Sequence, residues 1–350
     1  MLTIDGAYGE GGGQVLRTSL SLSILTGQPV EIVHIRSGRS KPGLLPQHLT
    51  AVRAAAKICN ADVQGADLHS QALRFAPRST PQAGAYTFDV AHAAKGGSAG
   101  AVCLILQTVL LPLVRAEGTS QITLRGGTHV AWSPCFDYLK RVYLPTLARL
   151  GIAAKAHIRK WGWYPLGGGE IVAAVQGLGP GATWDGLDLR QRGSLLRVRG
   201  ISASSNLPKH IRTRQEHTAL HMLRSHGVNA RVDALDAPSK GQGTVVFLWA
   251  EFDQVQAGFT SLGERGKPAE RVAEEAVEGL LRYLEGDAAL DRHLADQVVL
   301  PLALANSSSA FTTEAVSQHL RTNAWVVNQF LPDRVRVDGE EGQPGACQIG

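Results

Sequence analysis

The stretch AVCLILQTVLLPLVRAEGTSQITLR, Ala101–Arg125, decides the fold class. An apolar run of helical length, Ala101–Ala116, stops at Gly118, and a strand pattern follows at once over Gln121–Arg125. Glycine just past a helix takes the left-handed conformation that satisfies the last carbonyls at no steric cost, so the stop has a mechanism. The same unit recurs along the chain. Ser19–Thr26 leads through Gly27 to a strand at Val30–Ile35, and Ala51–Cys59 leads through Asn60 to Ala61–Gln64. Tyr138–Leu150 leads through Gly151 to Ala153–Arg159. Helix–strand units of similar size predict an α/β fold built from a repeated module. Within it, GEGGGQ (Gly9–Gln14) and PLGGGE (Pro165–Glu170) look like equivalent strand openings.

Outward from these units the chain divides. GLGPGATWDG, Gly177–Gly186, is turn chemistry and reads as a boundary, and GERGKP, Gly263–Pro268, reads as a second. Between them lies a compact set of strands around a helix at Lys209–Ser225. Residues 184–267 are therefore expected to form a small inserted α/β domain. Residues 1–183 and 268–337 would make the main domain, and 338–350, rich in Gly, Pro and Glu, a frayed tail.

Composition excludes several classes. With 44% hydrophobic and 19% charged residues in 350, the chain is globular rather than disordered. The longest apolar stretch, Gly100–Val114, is broken by Gln107 and Pro112 and is too short to span a bilayer, so no membrane role is expected. Cys59, Cys103, Cys135 and Cys347 lack C-x-x-C spacing, and the N-terminus lacks the basic and apolar regions of a signal peptide, which together favour a reducing cytoplasm. A net charge of +5 permits a polyanionic partner without requiring one.

No G-x-x-x-x-G-K-[ST] or G-x-G-x-x-G loop is present, nor a G-x-S-x-G elbow. In DGAYGEGGGQVLR, Asp5–Arg17, consecutive glycines free backbone N–H groups just before a helix, an arrangement that can hold an anion. Glu10 within it has the oxygen chemistry of a divalent-cation ligand. On this segment alone a structural turn with a solvated glutamate is the better reading. IRSGRSKPGLLPQHLT, Ile35–Thr50, shifts the balance. Arg36, Arg39 and Lys41 fall within six positions, then Gln47 and His48, on a loop punctuated by Gly and Pro. Fork-shaped guanidinium donors match phosphate oxygens, and Arg17 lies one helical turn beyond the glycines. A second constellation is His293–Gln297 (HLADQ) followed by His319–Asn323 (HLRTN), in which His319 has three readings: general base, covalent nucleophile or structural histidine. His217 and His221 stand four apart on one helix face. With no acidic third ligand, they read as a solvent-facing stripe rather than a metal site.

Taken together, these motifs with LQTVLLP (Leu106–Pro112), HLADQVVLPLALA (His293–Ala305) and HLRTNAWVV (His319–Val327) closely resemble the RNA 3'-terminal phosphate cyclase family, in order and over nearly the whole chain. The resemblance implies repeated βαβ-type modules like the C-terminal domain of translation initiation factor three and the enolpyruvyl transferases, with a small inserted thioredoxin-like domain. It implies ATP and a divalent metal, Mg or Mn, as co-substrate and cofactor, and an RNA with a 3'-phosphate end as partner. It assigns His319 as the nucleophile that takes AMP, and Glu10 to the metal. Gln14, Arg17, Arg36, Arg39, Gln47 and His48 would hold RNA or phosphate. Gln107, Pro134, Tyr138, His293, Leu294, Ala295, Asp296 and Gln297 would surround the adenosine. His293 stands where relatives often carry Tyr. Two other readings exist: a non-catalytic ribosome-biogenesis relative, which would lack the nucleophilic histidine, and an enolpyruvyl transferase, which shares only architecture. An exposed strand edge in the inserted domain would offer a homodimer surface.

Overall fold

The computed structural model describes residues 1–93 and 98–350. Its frame is one topology used three times. The first module comprises β1 (Leu2–Asp5), α1 (Gly13–Thr26), β2 (Val30–Val33), α2 (Pro46–Cys59), β3 (Asp62–Gln64) and β4 (Leu73–Ala76), with sheet order β1-β2-β4-β3. β1 and β2 run parallel across a helical crossover, and β4 is antiparallel to both β2 and β3.

The second module repeats this with β5 (Ala85–Asp89), α3 (Val102–Val114) and β6 (Thr119–Gly126). Next come a helix over residues 136–149, then β7 (Ala154–Lys160) and β8 (Gly169–Gln176), in the order β5-β6-β8-β7. That helix consists of α4 (Phe136–Tyr138), a π-helical turn (Leu139–Tyr143) and α5 (Leu144–Arg149). Three stops occur where the sequence places them, at Gly27, Asn60 and Gly151, with φ between 50° and 77°, whereas α3 already ends at Val114 and Gly118 makes the turn into β6. PLGGGE, however, forms the β7–β8 turn, whereas GEGGGQ lies between β1 and α1, so the two are not equivalent. Glycine triplets serve any tight turn, which is why their likeness misleads.

The third module is split. β9 (Asp188–Leu189) pairs parallel with β14 (Ser309–Thr313), and the chain between them carries a separate unit before α8 (Arg292–Ala303). After β14 come α9 (Gln318–Phe330), β15 (Val335–Asp338) and β16 (Gly345–Ile349), giving the order β15-β16-β14-β9. The separate unit therefore enters where the other two modules have only the loop between first strand and first helix.

That unit is a four-stranded sheet, β11-β10-β12-β13, from β10 (Leu195–Ser205), β11 (Ala230–Asp236), β12 (Gly243–Phe252) and β13 (Gln256–Leu262). α6 (Lys209–Ser225) and α7 (Ala269–Glu285) pack on the sheet and on each other. The expected boundary at 267 is too early. α7 buries Val272, Ala273, Ala276, Val277, Leu280 and Tyr283, and this stripe faces β12, β13 and α6, so the unit runs on to residue 285.

The expected fray at 338–350 also fails. β16 is an interior strand with neighbours on both edges, and Cys347 and Ile349 are buried. The Gly- and Pro-rich residues form only the turn before it. His217 and His221 are exposed, as a solvent-facing stripe requires. Among the described residues no helix is long and apolar enough to cross a membrane.

Candidate active site

Loops leaving the carboxyl ends of β1, β2 and β14 converge at the start of α1 and α9. Gly9 and Gly11 have φ of 63° and 57°, and a Cβ on Gly9 would lie 2.3 Å from Thr322 Oγ1, so α9 rests directly on the glycine loop. α1 begins at Gly12 with no side-chain cap and no acidic residue in its first turn. Its first amides are left to an external acceptor.

Above this helix end, His319 Nε2 meets Glu10 Oε2 at 3.1 Å, and Arg39 Nη2 donates to the same carboxylate oxygen at 3.1 Å and to the Glu10 carbonyl at 2.8 Å. Partial burial, with Arg17 and Arg39 nearby, lowers the His319 pKa against the opposing pull of Glu10. The imidazole is therefore held neutral at pH 7.

Beneath His319 runs a polar network. Gln14 Nε2 and Thr18 Oγ1 both donate to Asn323 Oδ1, at 3.0 and 2.5 Å. Arg17 Nη2 donates to Gln14 Oε1 at 2.6 Å, and Asn323 Nδ2 donates to the Asp296 carbonyl at 2.6 Å. One buried amide thus joins α1, α8 and α9. Burial lowers the Arg17 pKa to about 10, leaving it a cation at neutral pH. The Asp296 carboxyl is pushed well up, by burial first and then by Asp291.

The basic loop is organised differently from a free comb of cations. Arg36 has φ of 53° and donates from Nη1 to the carbonyls of Lys41 (2.5 Å) and Gly43 (2.9 Å), so it ties its own loop. Gln47 Oε1 accepts from Ala101 N at 2.9 Å. His48, at the third position of α2, accepts from Leu45 N at its Nδ1, 3.1 Å away, which leaves the ring proton on Nε2. That Nε2 lies 2.4 Å from where a Cβ on Gly13 would be, at the open end of α1. Burial, with Arg17 and Arg36, lowers the His48 pKa to about 3, so the ring is a neutral donor.

The expected adenosine contacts separate into two layers. Gln107 Nε2 donates to Gln297 Oε1 at 2.5 Å, and both line a cavity with Gln14, Arg17 and Asn323. Pro134 is half-buried on the loop before α4, and His293 is exposed. The protein atoms crowded round one side of its ring, then Arg292, lower the His293 pKa although the ring reaches solvent. Tyr138, Leu294 and Ala295 are buried. Tyr138 meets His293 edge-on, with centroids 6.4 Å apart, and its hydroxyl donates to Asp291 Oδ1 at 2.7 Å. These three support the wall from behind.

Comparison with known proteins decides the family. A model of the RNA 3'-terminal phosphate cyclase family matches residues 8–337. The chain belongs to that family. It is 50% identical over 349 residues to the RNA 3'-terminal phosphate cyclase of Methylococcus capsulatus, covering 100% of this chain and 96% of the relative. It is 50% identical over 330 residues to that of Gloeothece citriformis (94% and 93% covered), and 44% identical over 343 residues to that of Salmonella typhimurium (97% and 96%).

As a cyclase-family site, this one contains groups the motifs did not flag. Asn323 lies one helical turn after His319 on the same face, a spacing that could have exposed it, but amides do not titrate and draw no attention as chemistry. Asp291 carries no motif. Its carboxylate accepts from Tyr138 OH and from the backbone N–H groups of His293, Leu294 and Gly258, which anchors α8 to the inserted unit. Among the described residues no three His, Cys, Asp or Glu side chains cluster as a metal cage. Among the described residues Glu10 is the one carboxylate within ion-pair distance of His319. That donor set fits a hard cation drawing its other ligands from phosphate and water.

Proposed function

We propose that the protein converts an RNA 3'-terminal phosphate to a 2',3'-cyclic phosphate at the expense of ATP, acting as a ligase-class enzyme that releases AMP and diphosphate. Family membership along nearly the full chain carries this reading, and the retained His319 beside Glu10 at an uncapped helix end supports it. The non-catalytic relative is disfavoured by the same histidine.

The chain's own residues suit a three-step sequence. In the first, the neutral imidazole of His319 attacks the α-phosphorus of ATP, an Nε2–P bond forms and the bond to diphosphate breaks. That attack uses the neutral tautomer with its proton on Nδ1, so the lone pair of Nε2 turns from Glu10 to phosphorus, and the lowered pKa favours this neutral form. In the second, an oxygen of the RNA 3'-phosphate attacks the phosphoramidate phosphorus, and His319 departs from the RNA-bound adenylate. In the third, the vicinal 2'-OH attacks the RNA phosphorus and expels AMP. Proximity favours that closure, because nucleophile and phosphorus sit on one ribose.

Arg17, the Nε2 proton of His48 and the open amides of α1 form a donor set for the phosphate groups, with Gln14 and Gln47 holding the loops in place. Arg39 is bound to Glu10 and Arg36 to its own loop, so each would exchange these partners for phosphate oxygens. Glu10, with phosphate oxygens, would hold a Mg or Mn ion whose charge offsets that building up on the leaving diphosphate. Pro134 and His293 would flank adenine. A smaller ring than Tyr at 293 offers less stacking area, so His293→Tyr is expected to tighten ATP binding. Equal ATP affinity in the two proteins would count against adenine packing there.

The function is tested with RNA carrying a labelled 3'-phosphate. With ATP and Mg the label should become resistant to phosphatase while remaining on the RNA. Label that stays phosphatase-sensitive under all conditions would refute the assignment.

A further inference from the structure

The three modules place equivalent strand ends on the molecule, and the glycine loop, the basic loop and His319 come from those of the first and third. The corresponding end of the second module forms a groove of about 360 Å³ at the carboxyl ends of β5, β6 and β7, lined by Asp89, Arg125, Lys160, Glu170 and Lys240. Arg125 and Arg159 both bind Glu170, at 2.7 and 3.2 Å, so this acid is more than offset. Among the described residues Lys160 and Lys240 have no carboxylate within ion-pair distance. Among the described residues the lining therefore carries three cations, Arg125, Lys160 and Lys240, against two carboxylates.

Gly126 and Gly169 hold the strand ends together: a Cβ on Gly126 would lie 2.6 Å from the Gly100 carbonyl, and one on Gly169 2.6 Å from Gly162 N. Large aromatic rings stand in solvent at the same end: Trp132, 99% exposed on the loop after β6, and Tyr164, 79% exposed at the β7–β8 turn, close to Leu166 in the groove wall. Gly100, whose carbonyl packs against Gly126 in the groove, links this end of the second module to the start of α2, which carries Gln47. Ala101 N donates to Gln47 Oε1, and a Cβ on Gly100 would lie 2.8 Å from Gln47 Cβ, next to His48.

We infer that this second-module groove holds the RNA strand upstream of the reacting 3' end. Lys160, Lys240 and Arg125 take phosphates, and Tyr164 and Trp132 offer faces on which bases stack. The inference rests on the cyclase reading and adds to it a track for the body of the substrate. Sequence-independent single-strand binding needs this combination of a cationic channel and exposed aromatic faces. Lys240 comes from the loop between β11 and β12, so the inserted unit contributes one wall.

The test compares two substrates, a dinucleotide 3'-phosphate and an oligonucleotide 3'-phosphate of about 12 residues, long enough to cover such a channel. For Lys160→Ala/Lys240→Ala, and separately for Tyr164→Ala, KM for the long RNA should rise roughly tenfold while that for the dinucleotide stays unchanged. The double variant should also lower the salt slope for long-RNA binding by about 1.4, at about 0.7 per phosphate contact. Label transfer from ATP to the protein without RNA should be unaffected, and Lys160→Arg/Lys240→Arg should retain long-RNA affinity. Equal KM values for the long RNA in wild type and variants, with the dinucleotide still cyclised, would overturn the groove and leave the cyclase reading intact. So would an equal rise for both substrates. Failure of wild type to cyclise either RNA would overturn the cyclase reading, and the groove with it.

Discussion

α1 and α8 occupy the same place in the first and third modules, yet their N-termini are finished in opposite ways. α8 starts at Asp291, whose buried carboxylate accepts from the His293 and Leu294 amides and from two groups outside the helix. α1 starts at Gly12 with nothing on its first amides. One helix end is closed and structural, and the other is open and positive, with Arg17, His48, Arg39 and Glu10 arranged around it. The difference shows how a repeated fold yields a single reaction site: capping silences one copy, and leaving the cap off makes the other an anion receptor.

Uncapping α8 should have the largest effect on the fold. Asp291→Ala strands four donors around a buried hole and should cost about 3 kcal/mol, read as a fall of several degrees in melting temperature. An unchanged melting curve would show that α8 does not depend on its cap. Asn323 couples the two helices, so Asn323→Ala should cost about 2 kcal/mol and also slow adenylylation, because α9 then no longer fixes His319 over α1. Lost stability with undiminished adenylylation would separate the network from the chemistry.

Capping α1 is the converse experiment. Gly12→Asp puts a carboxylate where α8 carries one, and should raise the KM for ATP roughly tenfold, whereas Gly12→Asn, with similar bulk and no charge, should raise it less. Equal effects would mean that volume, not the open amides, matters. The smallest effect is on pH. Because burial lowers the His319 pKa, the reactive neutral form dominates at neutral pH, and adenylylation should be flat there and fall only below the ordinary histidine value of about 6.5. A midpoint above that value would contradict the lowered pKa.

Much of this was legible in the sequence where local chemistry decides structure. Helix stops at Gly27, Asn60 and Gly151 follow from the left-handed cap, and the repeat follows from them. Tertiary partnership was not legible. The tail reads as turn residues until β14 and β15 supply neighbours for β16, and α7 resembles any amphipathic helix until its stripe is seen on β12 and β13. In the site, charged and basic residues announced themselves. Tyr138, Leu294 and Ala295 lie behind the surface because their elements are packed inward, which spacing alone does not reveal. Asp291 has no pattern of its own, and Asn323, although it closes the HLRTN motif, acts through geometry.

The central claim is that His319, poised over the open end of α1, takes AMP from ATP. It is tested most directly by incubating the protein with ATP labelled on the α-phosphate and Mg, without RNA, beside His319→Ala. The account predicts acid-labile, alkali-stable label on the wild type and none on the variant. Equal label on both proteins, or none on a folded wild type, would contradict it.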